Sequence, residues 1–251
     1  VRSIALLTDF GTRDPYVASM KGVLASRTDA RIADLTHEID PFDVFGAGWF
    51  LATVWRWWPE GTIFVAVVDP GVGSARRILA AEHERRIFLA PDNGLLTFVG
   101  VADAISVEDA SLFLPSASTT FHGRDRFAPV AAAIANGAAV DALGPRVTDL
   151  VRVRYEPPRY DCARVEGTIV AIDRFGNAIT DVEASRIAFA RFALRAGEHV
   201  IDRIASNYAD AGDGVFLIAG SSGTIEISVA NGSAADKLQL GRGDCVTIFP
   251  K

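Results

Sequence analysis

The chain of 251 residues holds material for one large domain or two modest ones, with an ordinary globular composition of 49% apolar and 22% charged residues. Its net charge of −6 and pI near 5.2 argue against a sequence-independent nucleic-acid binder, and suit a cationic small molecule. Cys162 and Cys245 lack CxxC spacing and nearby histidines, so both are expected as free, mostly buried thiols of a reducing compartment, with no metal.

The first residues, VRSIALLTDF, hold only a four-residue apolar run, too short for a signal peptide or a membrane span; a cytoplasmic protein without a membrane partner is expected. SIALLT (3–8) reads as a strand. Residues 14–27 read as a helix with Asp14 as cap and Pro15 at its first position. RIADLT (31–36) is a second strand, 43–58 a second helix closed by Pro59 and Gly61, and TIFVAVV (62–68) a third strand. ILAAEH and RIFLA read as a hairpin, and 126–137 as an alanine-rich helix ended by Gly137. This alternation predicts a Rossmann-like α/β domain over 1–153 with a mostly parallel sheet. Trp55 and Trp58, three apart on one predicted helix face, suit core or subunit-interface packing.

The character changes near Pro157–Pro158. Residues 154–164 read as a linker, and 165–251 as a smaller all-β barrel of short strands separated by turns, without long helical patterns.

Polar groups recur just past the strand ends, where open α/β sheets place their chemistry. Asp9 follows IALLT, Asp34 and His37 lie in ADLTHEID, and Asp69 follows IFVAVV. In VVDPGVGSARR (67–77) the glycine turn suggests a phosphate loop, but Asp69 at its entry would repel an anion and the GxxxxGK[ST] spacing is missing. The glycines instead allow a tight return that folds Arg76 towards Asp69. In FHGRDRFAP (121–129), His122 and Asp125 precede the alanine-rich helix as turn residue, cap or catalyst. DRFGNAITD (173–181) offers Phe175 as a flat apolar face and Asn177 as an amide. GSSGTIEISVANGSA (220–234) offers hydroxyls, backbone groups and an embedded Glu226.

Seven segments in order, TDFGTRDPYVASMKGV, DLTHEIDPFDV, VVDPGVGSARR, APDNGLL, FHGRDRFAP, DRFGNAITD and SSGTIEI, resemble the S-adenosylmethionine hydroxide adenosyltransferase family, relatives of fluorinase and chlorinase. The resemblance implies hydrolysis of S-adenosyl-L-methionine to adenosine and L-methionine by attack on ribose C5′, with no cofactor. It also implies a homotrimer whose sites lie between one subunit's N-domain and its neighbour's C-domain. Matched position by position, Asp69, Arg76 and His122 fall on the water-activating triad. Asp9 falls on the ribose-gripping residue, Tyr16 near the methionine, and Phe42 on an aromatic flank. Asp173 and Asn177 match methionine-amine and adenine- or ribose-side contacts, and Phe175, with Tyr208 more loosely, matches stacking rings. Ser221 and Ser222 match the carboxylate-holding region, where fluorinase has Ser-Arg, and Ala230–Asn231 the adenine edge. Asp69 replaces an aromatic residue of the halogenases and Gly123 a fluorinase serine, so water is the expected nucleophile. A halide-dependent synthase and a non-catalytic S-adenosylmethionine or adenosine binder are the alternatives.

Overall fold

In the computed structural model, which describes residues 2–115 and 118–251, the buried β-branched runs of the first half lie side by side as a seven-stranded sheet. Its strands are Ser3–Thr8 (β1), Arg31–Thr36 (β2), Ile63–Val67 (β3), Ile78–His83 (β4), Arg86–Pro91 (β5), Ala104–Ser106 (β6) and Arg146–Val147 (β7), in the order β2-β1-β3-β5-β4-β6-β7. The pairs among β2, β1, β3 and β5 are parallel, and those among β5, β4, β6 and β7 antiparallel. The mostly parallel sheet expected from the sequence is therefore corrected to a mixed one. The cause is local: Glu84 and Arg85 both adopt positive φ, 43° and 60°, closing a two-residue hairpin that reverses chain direction.

Alternation along the central strands buries both faces. Ile4, Leu6, Val65 and Val67 join one core cluster, shared with the helices Tyr16–Ala25 (α1) and Ala128–Ala135 (α3). Ala5, Leu7, Phe64 and Ala66 join another, shared with Val44–Val54 (α2). Asp43 caps α2 by accepting from Gly46 N–H at 2.9 Å. Helix α1 begins later than predicted, at Tyr16 with Pro15 as its cap residue and no side-chain cap from Asp14. Helix α2 tightens into a 3₁₀ turn at Trp55–Trp57, so Trp55 is fully buried while Trp57 is 84% exposed.

A first unit runs to Arg154, and a second is Tyr155–Lys251. In the second, Arg159–Tyr160 (β8), Val165–Ile172 (β9), Ala178–Glu183 (β10), Phe192–Ala196 (β11), His199–Ile201 (β12), Val215–Ala219 (β13), Thr224–Val229 (β14) and Cys245–Pro250 (β15) form an antiparallel sheet of order β12-β11-β15-β9-β10-β14-β13, with β8 beside β9. Arg159 and Tyr160 thus form a strand within the segment read as linker. The ring nearly closes: Leu217 in β13 donates to Arg203 O at 2.8 Å and accepts from Ala205 N–H at 2.9 Å. The short helix Ala234–Leu238 (α4), capped by Ser233, was not anticipated. Cys162 and Cys245 are free but exposed, contrary to the burial expected of them.

Candidate active site

Strand β3 delivers Asp69 to the carboxyl edge of the first sheet. The carbonyl of Val68 just before it is held by Asn93 Nδ2 at 2.8 Å, which gives the APDNGLL segment a structural purpose. Two successive turns follow, Val72 N–H to Asp69 O and Ser74 N–H to Gly71 O. Gly73 has φ +81° and a Cβ there would lie 2.5 Å from Thr119 O, so only glycine fits this return.

The return brings Arg76 onto Asp69. Its Nε lies 2.9 Å from both carboxylate oxygens, and its Nη2 also contacts Oδ2. The side chains are 9% and 5% exposed, so this is a shielded, multiply bonded pair. Arg77 turns the other way, to Asp92 Oδ2 at 2.7 Å from Nε and to Asp149. The same Nη2 of Arg76 lies 2.9 Å from Nδ1 of buried His122. Arginine only donates, so Nδ1 accepts, and the neutral imidazole carries its proton on Nε2. Burial lowers the pKa of His122, as do the positive charges of Arg126 and Arg76, against the opposing pull of Asp69 and Asp125. Nε2 is buried without a hydrogen-bond partner among the described residues.

His122 is set by a π-helical turn, Gly123–Phe127, that leads into α3; such turns concentrate at functional sites. Asp125, fully buried, does not cap the helix. Arg124 lowers its pKa by hydrogen bonding, and Ser118 N–H donates to it.

A cavity of 560 Å³ in the first unit is lined by Asp9, Tyr16, Phe42, Asp69 and His122 among others, so five sequence-predicted positions meet there. Arg76 stands behind Asp69 rather than on the wall. Asp9 Oδ2 accepts from Phe42 N–H at 2.9 Å. Phe42 has φ +68°, a rare backbone for a bulky residue, and its ring is 70% exposed. Tyr16, Phe10 and Phe121 form a mutually packed aromatic wall. Below Asp9, Phe10 N–H donates to Thr8 Oγ1 at 3.2 Å, and Thr8 Oγ1 meets His37 Nδ1 at 2.8 Å. His37 Nε2 meets Asp34 at 3.0 Å and Lys21 donates to Asp34 at 2.6 Å. Burial opposes ionisation of Asp34, but the hydrogen bonds from Lys21 and His37 outweigh it and lower its pKa.

A second cavity, of 720 Å³, lies in the barrel unit and gathers Asp173, Phe175, Asn177, Tyr208, Ser221 and Asn231. Asp173 organises its own turn, accepting from Phe175 and Asn177 N–H at 2.9 Å and from Asn177 Nδ2 at 2.8 Å. Ser222 and Ala230 are not on this wall. Ser222 Oγ pairs with Thr224 Oγ1 at 3.1 Å, and Ala230 packs near Phe216 and Ile218. Glu226 is on the wall and was not among the predicted site residues. Its signal, an acid within the β-rich run TIEISVA, was available in the sequence. Among the described residues, no group of three or more His, Cys, Asp or Glu could hold a metal ion.

A mixed α/β unit with a buried Asp–Arg–His cluster at its strand edge, followed by a nearly closed antiparallel barrel, defines a two-unit class of protein. Residues 4–144 match the SAM hydroxide adenosyltransferase N-terminal domain, and residues 167–247 its C-terminal domain. The chain belongs to the SAM hydroxide adenosyltransferase family. It is 38% identical to a Thermus thermophilus protein named (R)-S-adenosyl-L-methionine hydrolase, over 99% of this chain and 100% of that one. A fluorinase from Actinopolyspora mzabensis is 28% identical, covering 74% of this chain and 73% of its own length. The crystal structure of an uncharacterized conserved protein from Thermotoga maritima superposes with a TM-score of 0.92 at 33% identity, covering 98% of this chain and 99% of that one.

Proposed function

We propose that this protein hydrolyses S-adenosyl-L-methionine to adenosine and L-methionine, on the (R)-sulfonium form that its relatives' names specify. The observation that carries the reading is Arg76 bonded at once to Asp69 and His122, beside the cavity lined by both.

Water attacks C5′ in line with the C5′–S bond. The C–O bond forms as C–S breaks, and the electron pair stays on sulfur, leaving a neutral thioether. The departing water proton goes to Asp69 and then to solvent. Asp69 is the acceptor because His122 Nδ1 is already taken by Arg76. His122 serves through its Nε2–H as a donor that orients the nucleophile's oxygen, and Arg76 fixes both partners. Neutralising a sulfonium favours a shielded pocket.

Asp9 grips the ribose hydroxyls, Tyr16 stands by the methionine, and Phe42, Phe175 and Tyr208 flank the ligand. Asp173 and Asn177 serve the amine and the base or ribose, Ser221 and Ser222 the carboxylate, and Ala230–Asn231 the adenine edge. The working unit is a homotrimer without a resident cofactor, and the family resemblance supports these assignments and the residue roles; a cytoplasmic location rests on the short N-terminal apolar run and the cysteine usage alone. No helix among the described residues is long and apolar enough to cross a membrane.

A carboxylate at Asp69 would repel halide, which disfavours the synthase reading. Turnover in ¹⁸O-labelled water tests the proposal: the label should appear at the adenosine 5′-oxygen with free methionine. Formation of 5′-chloroadenosine in chloride would favour the synthase, and binding without turnover the sensor.

A further inference from the structure

Strand β2 carries a bulge close to the site. Leu6 of β1 pairs with Asp34 and Leu7 with Thr36, so Leu35 is an extra residue in the register. Strict alternation would send positions 34 and 37 to opposite faces. The extra residue removes that separation, and Asp34 Oδ1 lies 3.0 Å from His37 Nε2, close but off-line for a straight hydrogen bond. Burial opposes the charge of Asp34, but Lys21 and His37 outweigh burial, so Asp34 stays a carboxylate that only accepts. Nε2 of His37 therefore carries a proton. In the neutral ring Nδ1 then accepts from the Thr8 hydroxyl, whose oxygen in turn receives Phe10 N–H.

His37 holds the same loop through its main chain, since its carbonyl accepts from Gly11 N–H at 2.7 Å. Five residues on, Phe42 N–H reaches Asp9 Oδ2 at 2.9 Å. The segment 37–42 thus grips residues 8–11 at three points, and Asp9 lies inside the grip. The His37 ring is buried and does not line the 560 Å³ cavity, so it acts on a ligand there only through its neighbours.

Resting on the proposed ribose role of Asp9, we propose that His37 is a positioning residue for the reaction. Its ring and carbonyl fix the loop that aims Asp9 at the ribose hydroxyls, and Asp34, presented by the bulge, fixes the ring. A shift of Asp9 would carry the ribose, and with it C5′, away from the water held at Asp69.

The test reads the ribose contact directly, without turnover. Affinities for adenosine and for 2′,3′-dideoxyadenosine, which lacks both hydroxyls, are measured by calorimetry. Wild type should prefer adenosine by about tenfold or more, as for hydrogen bonds to a charged group. In His37→Gln the amide reaches towards Asp34 and misses Thr8. Its preference should fall to about threefold or less, while dideoxyadenosine affinity stays within about twofold of wild type, which certifies the fold. In His37→Asn the amide takes the place of Nδ1, and most of the preference should remain. Asp34→Ala alters the partly exposed end of the chain, folds even where a change at buried His37 does not, and should lose part of the preference. A full preference in His37→Gln, or in Asp34→Ala where the former does not fold, overturns the assignment, as does an equal loss for both ligands. Wild-type protein that binds the two ligands equally overturns the ribose role of Asp9 instead, and the positioning role with it.

Discussion

Nη2 of Arg76 stands 2.9 Å from Nδ1 of His122 while the same guanidinium holds Asp69. This contact fixes the direction of every hydrogen bond in the cluster, because one partner can only donate. In the proposed mechanism it leaves Asp69 as the proton acceptor and His122 as a donor. His122→Gln, which can present an amide N–H near the Nε2 position, should retain more activity than His122→Ala. Loss of the donor in His122→Ala should lower kcat by about 10²-fold or more. Asp69→Asn should cost about 10²- to 10⁴-fold, as for a lost general base. Steady-state kinetics of the three variants decide this; equal activity of His122→Gln and His122→Ala would remove the donor role.

Arg76→Lys keeps the charge and discards the fork. A single ammonium cannot reproduce the Nε and Nη2 contacts that reach Asp69 and His122 together. The expected outcome is a fall in kcat of about 10²-fold with KM little changed, since Arg76 lies behind Asp69 rather than against the ligand.

The pH dependence of stability carries a defined sign. His122 is held below its ordinary 6.5 by burial and by Arg126 and Arg76. In the unfolded chain the same ring protonates near 6.5, so acidification loads protons onto the unfolded state first. The contribution is complete above pH 6.5 and declines as pH falls below it. Wild-type Tm should therefore drop more steeply than that of His122→Gln between about pH 7 and pH 5, as melting curves would reveal.

Phe42 holds a left-handed backbone at φ +68° while presenting its ring at the cavity. Phe42→Gly should raise stability by up to about 1 kcal/mol through relief of that conformation. The same change should raise KM by about 3- to 10-fold through loss of an aromatic contact. Opposite signs in denaturation and kinetics would establish that stability is sacrificed there for binding.

Thr8 is fully buried, and its hydroxyl links Phe10 N–H to His37. Thr8→Val preserves shape but strands a ring nitrogen and an amide. Denaturant unfolding should show a loss of about 1–3 kcal/mol. Substrate KM should rise as well, because Asp9 is the next residue.

Much of the first unit was legible because its strands are short, saturated with aliphatic residues and bounded by turn chemistry. The hairpin of β4 and β5 is legible in the sequence, and the structure has it; the expectation of a mostly parallel sheet leaves out its consequence, that β4, β6 and β7 then all pair antiparallel, which makes the sheet mixed. Strands β6 and β7 are two or three residues long and owe their place to neighbours rather than to propensity. The return of Arg76 onto Asp69 could be argued from charge and glycine spacing. The bond to His122 could not, since 46 positions separate the two residues and a π-helical turn sets the ring. Glu226 was visible, but its burial and the room left for it at Gly220 are what distinguish it from an ordinary surface acid.

Gly123 lines the cavity, and a Cβ there would press on Met20 Sδ at 3.1 Å, Phe10 Cε2 at 3.2 Å and Phe121 Cε2 at 3.3 Å. Resemblance places the fluorinase serine at this position. In a lineage moving from water towards halide as nucleophile, that serine would enter against close neighbours that must each give by a few tenths of an ångström. Met20, Phe10 and Phe121 therefore set how readily this position takes a side chain, and with it how readily the scaffold could approach the other chemistry.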